Sequence, residues 1–155
     1  MQLSDIIDTQ SILPAVQAGN KKQLLQQLSA HAAKLTGLQE RAIFETLMQR
    51  EKLGSTGLGK GIAIPHGRFP GLERVRGLFA RVPQKVDFEA PDHMPVDIVF
   101  LLMAPEGAGA DHLKALARVS RLLREDALVE KLRATSDPDA LYALITDKAT
   151  SPKAA

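Results

Sequence analysis

The run Val96-Asp97-Ile98-Val99-Phe100-Leu101-Leu102-Met103-Ala104 is almost uninterruptedly apolar. A strand with one wet face alternates apolar and polar residues, because successive side chains point to opposite sides of the sheet. A run without alternation has to be covered on both faces, so this one predicts a central strand between two helical layers. Pro105 stops it. A membrane-spanning helix needs about 20 apolar residues, and no run in this chain reaches that length. The 155 residues, 45% of them hydrophobic and 25% charged, suit one domain with a full core.

The rest of the pattern supplies the two layers. Asn20 and Gln23 form a capping-box-like start for a helix whose Leu24, Leu25, Leu28, Ala32 and Leu35 share one face, ending at Gly37. A second helix runs from about Gln39 to Lys52 on Ile43, Phe44, Leu47 and Met48. Ile12 to Val16, Ile62 to Ile64 and Val75 to Val82 read as strands, the last with a bulge near Gly77. Val86 to Phe88 reads as an edge strand or hairpin arm. Asp111 caps a helix from His112 to Arg124 that turns Leu113, Leu116, Ala117, Ser120 and Leu123 inward and Lys114, Arg118 and Arg121 outward. Short helices come after it at 126–133 and 138–145, the second with Asp137 as cap and Pro138 as first helical residue. The fold class is α/β, a three-layer sandwich with a mixed, largely buried sheet flanked by helices on both faces. The domain spans 1–147, and the polar residues 148–155 form a disordered tail.

Composition removes several function classes. With no cysteine there are no disulfides, thiolate nucleophiles or cysteine-bound metals, and the start of the chain has no signal-peptide pattern, so the expected location is cytoplasmic. The net charge of +2 is spread among acids and aromatics make up only 4%, so no nucleic-acid face is expected. No histidine pair has helical metal-ligand spacing, and neither a metal nor another cofactor is expected.

Four glycines fall in Gly54-Ser55-Thr56-Gly57-Leu58-Gly59-Lys60-Gly61, one residue short of a P-loop. Gly61 stands where the magnesium-binding hydroxyl belongs. The flanks are also reversed, since a P-loop runs from strand into helix and this stretch runs from helix into strand. The glycines therefore read as a setting for the adjoining segment Ile62-Ala63-Ile64-Pro65-His66-Gly67.

His31 reads as a structural histidine and His93 as an exposed turn residue. His66 and His112 differ, because each comes after a buried strand, and ligand sites in open α/β sheets gather beyond the carboxyl ends of strands. His112 also falls in a helical first turn, which favours anions. Arg50 lies on the Ile43 side of the second helix. By position alone it is a surface cation at the helix end; alternatively it reaches along the core edge toward the glycine loop. Two imidazoles, a guanidinium and oriented amides suit phosphoryl transfer, with neutral imidazole as nucleophile.

These residues resemble the fructose/mannitol-type enzyme IIA family of the bacterial phosphoenolpyruvate-dependent phosphotransferase system. The resemblance rests on Arg50-Glu51-Lys52-x-Gly54-Ser55-Thr56-Gly57, Gly61-Ile62-Ala63-Ile64-Pro65-His66-Gly67, Pro95-Val96-Asp97-Ile98-Val99-Phe100 and His112-Leu113, within a match over about Leu3 to Thr146. It is nearest the stand-alone nitrogen-regulatory branch. It implies that His66 accepts a phosphoryl group from an HPr-type phosphocarrier, with His112 and Arg50 beside it. It also implies regulatory partners in potassium and nitrogen/carbon control, such as potassium-transport or sensor-kinase proteins. Gly54, Ser55, Thr56 and Gly57 are expected to line the phosphoryl group, Ser55 and Thr56 through their hydroxyls. A ligand-sensing or interaction module without phosphorylation, and a sugar-specific IIA passing phosphate to a IIB protein, are the competing readings.

Overall fold

The computed structural model describes residues 1–147. The tail expected at 148–155 lies outside the described residues. Strand β6 (Val96–Pro105) is the centre of the sheet, as its apolar run requires. Its Ile98, Phe100, Leu102 and Ala104 enter one core, and Val96, Val99, Leu101 and Met103 the other. Each large side chain buried this way contributes about 1.5–3 kcal/mol, which explains why alternation is missing from the sequence here.

Around β6 lie β1 (Ile12–Leu13), β2 (Gly57–Gly59), β3 (Ile62–Ala63), β4 (His66–Phe69) and β5 (Arg76–Val86). The order is β1-β5-β6-β3-β2, and β4 also pairs with β6. β5 is antiparallel to β6, whereas β3 and β4 are parallel to it, so the sheet is mixed. Helices α1 (Lys21–Thr36) and α2 (Glu40–Lys52) cover one face. Helices α3 (Gly109–Leu122), α4 (Asp126–Ala134) and α5 (Pro138–Thr146) cover the other. This is the α/β sandwich expected.

Several local expectations change. The ladder between β5 and β6 is regular through Gly77, and its irregularity lies between Arg81 and Val86. Gly77 instead makes room, since a Cβ there would sit 2.8 Å from Phe100 and 2.9 Å from Ile7. Val86 closes β5, and Asp87 and Phe88 extend no strand, so the separate edge strand is not formed. Asn20 caps α1 by accepting from the Gln23 amide, but the Gln23 side chain returns to Gly19 N–H, one residue before the cap. The glycine stretch is also not one loop. Residues 54–56 leave α2, and β2 then forms a hairpin with β3 through Lys60 and Gly61.

Helix α3 departs most. It begins at Gly109, two residues before the expected cap, so Asp111 lies in its first turn. Its buried stripe is His112, Ala115, Val119 and Leu122, and Leu113 is 66% exposed. Leu123 is buried and Leu116 packs partly buried against the core, as expected, but Leu113 and Ala117 face outward and His112 becomes a core-facing residue.

Candidate functional site

Strands β3 and β4 succeed each other along the same edge of β6, interrupted at Ile64 and Pro65. Proline has no N–H to donate to a ladder. The Pro65 carbonyl still accepts from Leu102 N–H at 2.9 Å, which keeps the broken strand in register. His66 therefore stands at the break, opposite Leu102, with three further β4 residues after it (67, 68 and 69). It is beyond the end of β3, as expected, but within the span of the sheet.

Alternation along β4 decides which way its side chains face. Phe69 packs into the α1/α2 core, while His66 turns to the opposite face and meets α3. The rings of His66 and His112 lie edge to face, with centroids 5.5 Å apart and planes at 67°. The convergence expected from parallel neighbouring strands is realised.

The two imidazoles are held differently. His66 Nδ1 lies 2.8 Å from the Ile64 carbonyl oxygen. A carbonyl can only accept, so Nδ1 carries the proton, and neutral His66 keeps its lone pair on Nε2. His66 is half-buried, which leaves this nitrogen a route to a partner. His112 is 8% exposed, and its buried Nε2 has no hydrogen-bond partner among the described residues. A buried polar atom left unpaired costs about 1–3 kcal/mol. Burial pushes His112 below the ordinary imidazole value of 6.5, and His66 and then Arg68 depress it further.

Arg50, in the last turn of α2, donates through Nη1 to the Gly54 carbonyl at 3.0 Å. It is thus bound to the loop. The hydroxyl of Ser55 donates to Phe88 O at 2.8 Å and accepts from Gly57 N–H at 3.0 Å. The hydroxyl of Thr56 donates to the Glu51 carboxylate, and the residue is buried. Both hydroxyl protons are directed into the protein, so in this geometry the two side chains hold the loop together and do not point a donor at His66. The glycine stretch also divides spatially. Gly54 to Gly57 lie near the β3 end that leads to His66, and the turn at Gly61 lies at the other end.

Two residues carry no role in the sequence reading. Arg68 lies two residues beyond His66 and shares its face of β4; its Nη2 lies 3.6 Å from where a Cβ on Gly109 would be, at the start of α3. The spacing of two along a strand was the available signal. Glu51 is buried at the end of α2, and nothing in helical periodicity marks it. Among the described residues no group of three or more His, Cys, Asp or Glu could hold a metal ion, and no helix is long and apolar enough to cross a membrane.

Comparison with known proteins gives the family of the chain. The family described as "Phosphoenolpyruvate-dependent sugar phosphotransferase system, EIIA 2" matches residues 5–148. The chain belongs to this family. It is 57% identical over 145 residues to a "Nitrogen regulatory protein" of Bradyrhizobium diazoefficiens, covering 94% of this chain and 95% of that one. Among solved structures, the nitrogen regulatory protein IIA-Ntr of Neisseria meningitidis superposes with a TM-score of 0.88 at 35% identity, covering 93% of this chain and 99% of that chain. The mannitol IIA of Escherichia coli shares the fold, with a TM-score of 0.75 at 22% identity over 90% of this chain and 98% of that one. A IIA-type domain is a component of the phosphotransferase system, and its nitrogen-regulatory relatives support a phosphocarrier or regulator role.

Proposed function

We propose that the chain is a phosphohistidine carrier and regulator of the nitrogen-regulatory branch, with His66 Nε2 as the phosphoryl acceptor. One observation carries this reading: the buried, unpartnered Nε2 of His112 stands beside an imidazole whose Nδ1–H is already engaged. An anion on His66 would satisfy that nitrogen. The donor is the phosphohistidine of an HPr-type carrier. Its N–P bond breaks, its imidazole recovers the lone pair, and a new N–P bond forms at His66 Nε2.

The charge in transit lies on the equatorial oxygens of the phosphoryl group, so the protein's task is positioning and stabilisation. His112, in the neutral tautomer protonated at Nε2, donates a hydrogen bond to a phosphoryl oxygen. Arg50 and Arg68 supply cations, and the Gly54–Gly57 loop, with Ser55 and Thr56 inside it, forms the wall. Phosphorylation then alters the charge of the surface that regulatory partners read.

The test is labelling with phosphoenolpyruvate, enzyme I and the HPr-type carrier. One acid-labile phosphate per chain is expected, and none on His66→Ala. Equal labelling of the variant and the parent would sink the proposal.

A further inference from the structure

We infer that Glu51 is a positioning residue for His66, acting through the backbone of Thr56 and Ile64. The side chain of Glu51 is 3% exposed. Its Oε1 receives Lys21 Nζ at 2.8 Å and the Thr56 N–H at 3.1 Å, and its Oε2 accepts the Thr56 hydroxyl. Thr56 is therefore held by two bonds from one carboxylate. The Thr56 carbonyl accepts from Ile64 N–H at 3.0 Å. The Ile64 carbonyl in turn accepts from His66 Nδ1–H. Lys21, Glu51, Thr56, Ile64 and His66 form one continuous chain of contacts, from the first residue of α1 to the imidazole.

Stability alone does not explain an acid at this place. Glu51 is in the last turn of α2, at the negative end of the helix dipole, where a carboxylate is disfavoured. A buried ion pair is often replaceable by apolar residues without loss of stability. What the carboxylate secures is geometry. Lys21 balances its charge and also lies over the Phe88 ring, 4.6 Å from the centroid. The Phe88 carbonyl holds the Ser55 hydroxyl, so the same residue pair anchors both sides of the loop. If Thr56 moves, the Ile64 amide and carbonyl move with it. His66 Nδ1–H then loses its acceptor, and the tautomer that leaves the lone pair on Nε2 is no longer favoured. Such outer-shell partners of a histidine fix both tautomer and ring orientation.

The experiment uses the full chain with Glu51→Ala, Glu51→Gln and Thr56→Val. Imidazole ¹⁵N spectra read the His66 tautomer, and carrier-dependent labelling reads kcat and KM separately. The labelling arm rests on the proposed role of His66; the tautomer arm does not. Glu51→Ala is expected to spread His66 over both neutral tautomers and to lower kcat about 10²-fold, the scale of a small misplacement of a reacting group. KM should stay within about twofold of the parent, with kcat taken per folded protein, because an unfolded fraction by itself also lowers apparent kcat at constant KM; the tautomer readout is what destabilisation does not move. Glu51→Gln, whose carboxamide can still hold the Thr56 N–H, should recover most of the tautomer preference. Should Glu51→Ala fail to fold, Thr56→Val keeps the ion pair and the backbone bond, and should shift the tautomer in the same direction by less. A folded Glu51→Ala with the parent's tautomer overturns the inference whatever the labelling does; should that variant not fold, an unshifted tautomer in Thr56→Val overturns it. A tautomer shift in a protein that never labels supports the positioning role and sinks the carrier role instead.

Discussion

Replacing His112 by leucine separates what this residue does for the site from what it does for the fold. The side chains are close in volume, so the stripe of Ala115, Val119 and Leu122 keeps its packing, while the orphan nitrogen disappears. Removing an unpaired buried polar atom recovers part of its 1–3 kcal/mol desolvation cost, so His112→Leu should be more stable than the parent by about 1 kcal/mol. Phosphoryl transfer should move the other way. A hydrogen bond from His112 to the charged phosphoryl group on His66 is worth up to about 3 kcal/mol. That corresponds to roughly 10²-fold in transfer rate or in the phospho-form equilibrium. Acidification sharpens the contrast. Folded His112 titrates below its unfolded value of 6.5 because it is buried, and because His66 and Arg68 face it. Between those two values the unfolded chain binds more protons, so the parent loses stability as pH falls through that window, while above it the full contribution is present. The leucine variant lacks this loss, so its advantage in urea unfolding should grow as pH falls below 6.5. Urea midpoints at several pH values, with labelling rates measured beside them, make the assay. A variant that is less stable than the parent and transfers phosphoryl equally fast would refute both halves.

The two other predictions concern opposite ends of the sheet. Gly61 has φ +82° in the β2–β3 turn, and a Cβ there would lie 2.7 Å from Arg133 Nη2 and 3.0 Å from Asp97 Oδ1. Gly61→Ala should lose about 2–4 kcal/mol through left-handed strain and displacement of the Arg133–Asp97 pair, read by urea unfolding. Labelling of the folded fraction should be unchanged, and a stability change within about 0.5 kcal/mol would contradict the reasoning. Arg68→Ala, at an exposed position, should alter stability by no more than about 0.5 kcal/mol and move the His112 titration in NMR toward higher pH, because one depressing charge is gone. A midpoint that stays put or falls would exclude Arg68 from the site's electrostatics.

How far the sequence is legible depends on whether a residue's role is local. The run through β6 is readable because burial on both faces leaves a direct mark, the loss of alternation. Asp137 is readable because its cap is a contact within three residues, to Ala140 N–H at 2.9 Å. Glu51 is not, because its partners are Lys21 and Thr56, and only the packing of α1 on α2 brings that lysine to it. The hairpin inside the glycine stretch is hidden for a similar reason: Gly57 and Gly59 have no β preference of their own and form a strand only because β3 pairs with them. Helix α3 is the most instructive case. An apolar count places Leu113, Leu116, Ala117, Ser120 and Leu123 inward, since a histidine does not score as core. The true stripe, at 112, 115, 119 and 122, keeps helical spacing only when His112 is admitted to it. A polar residue that completes a buried stripe, leaving an exposed leucine beside it, breaks the local rule at the proposed site. The misplaced part of the helix face and the position of the proposed site thus have one cause, an imidazole kept inside the protein with its Nε2 unpartnered among the described residues.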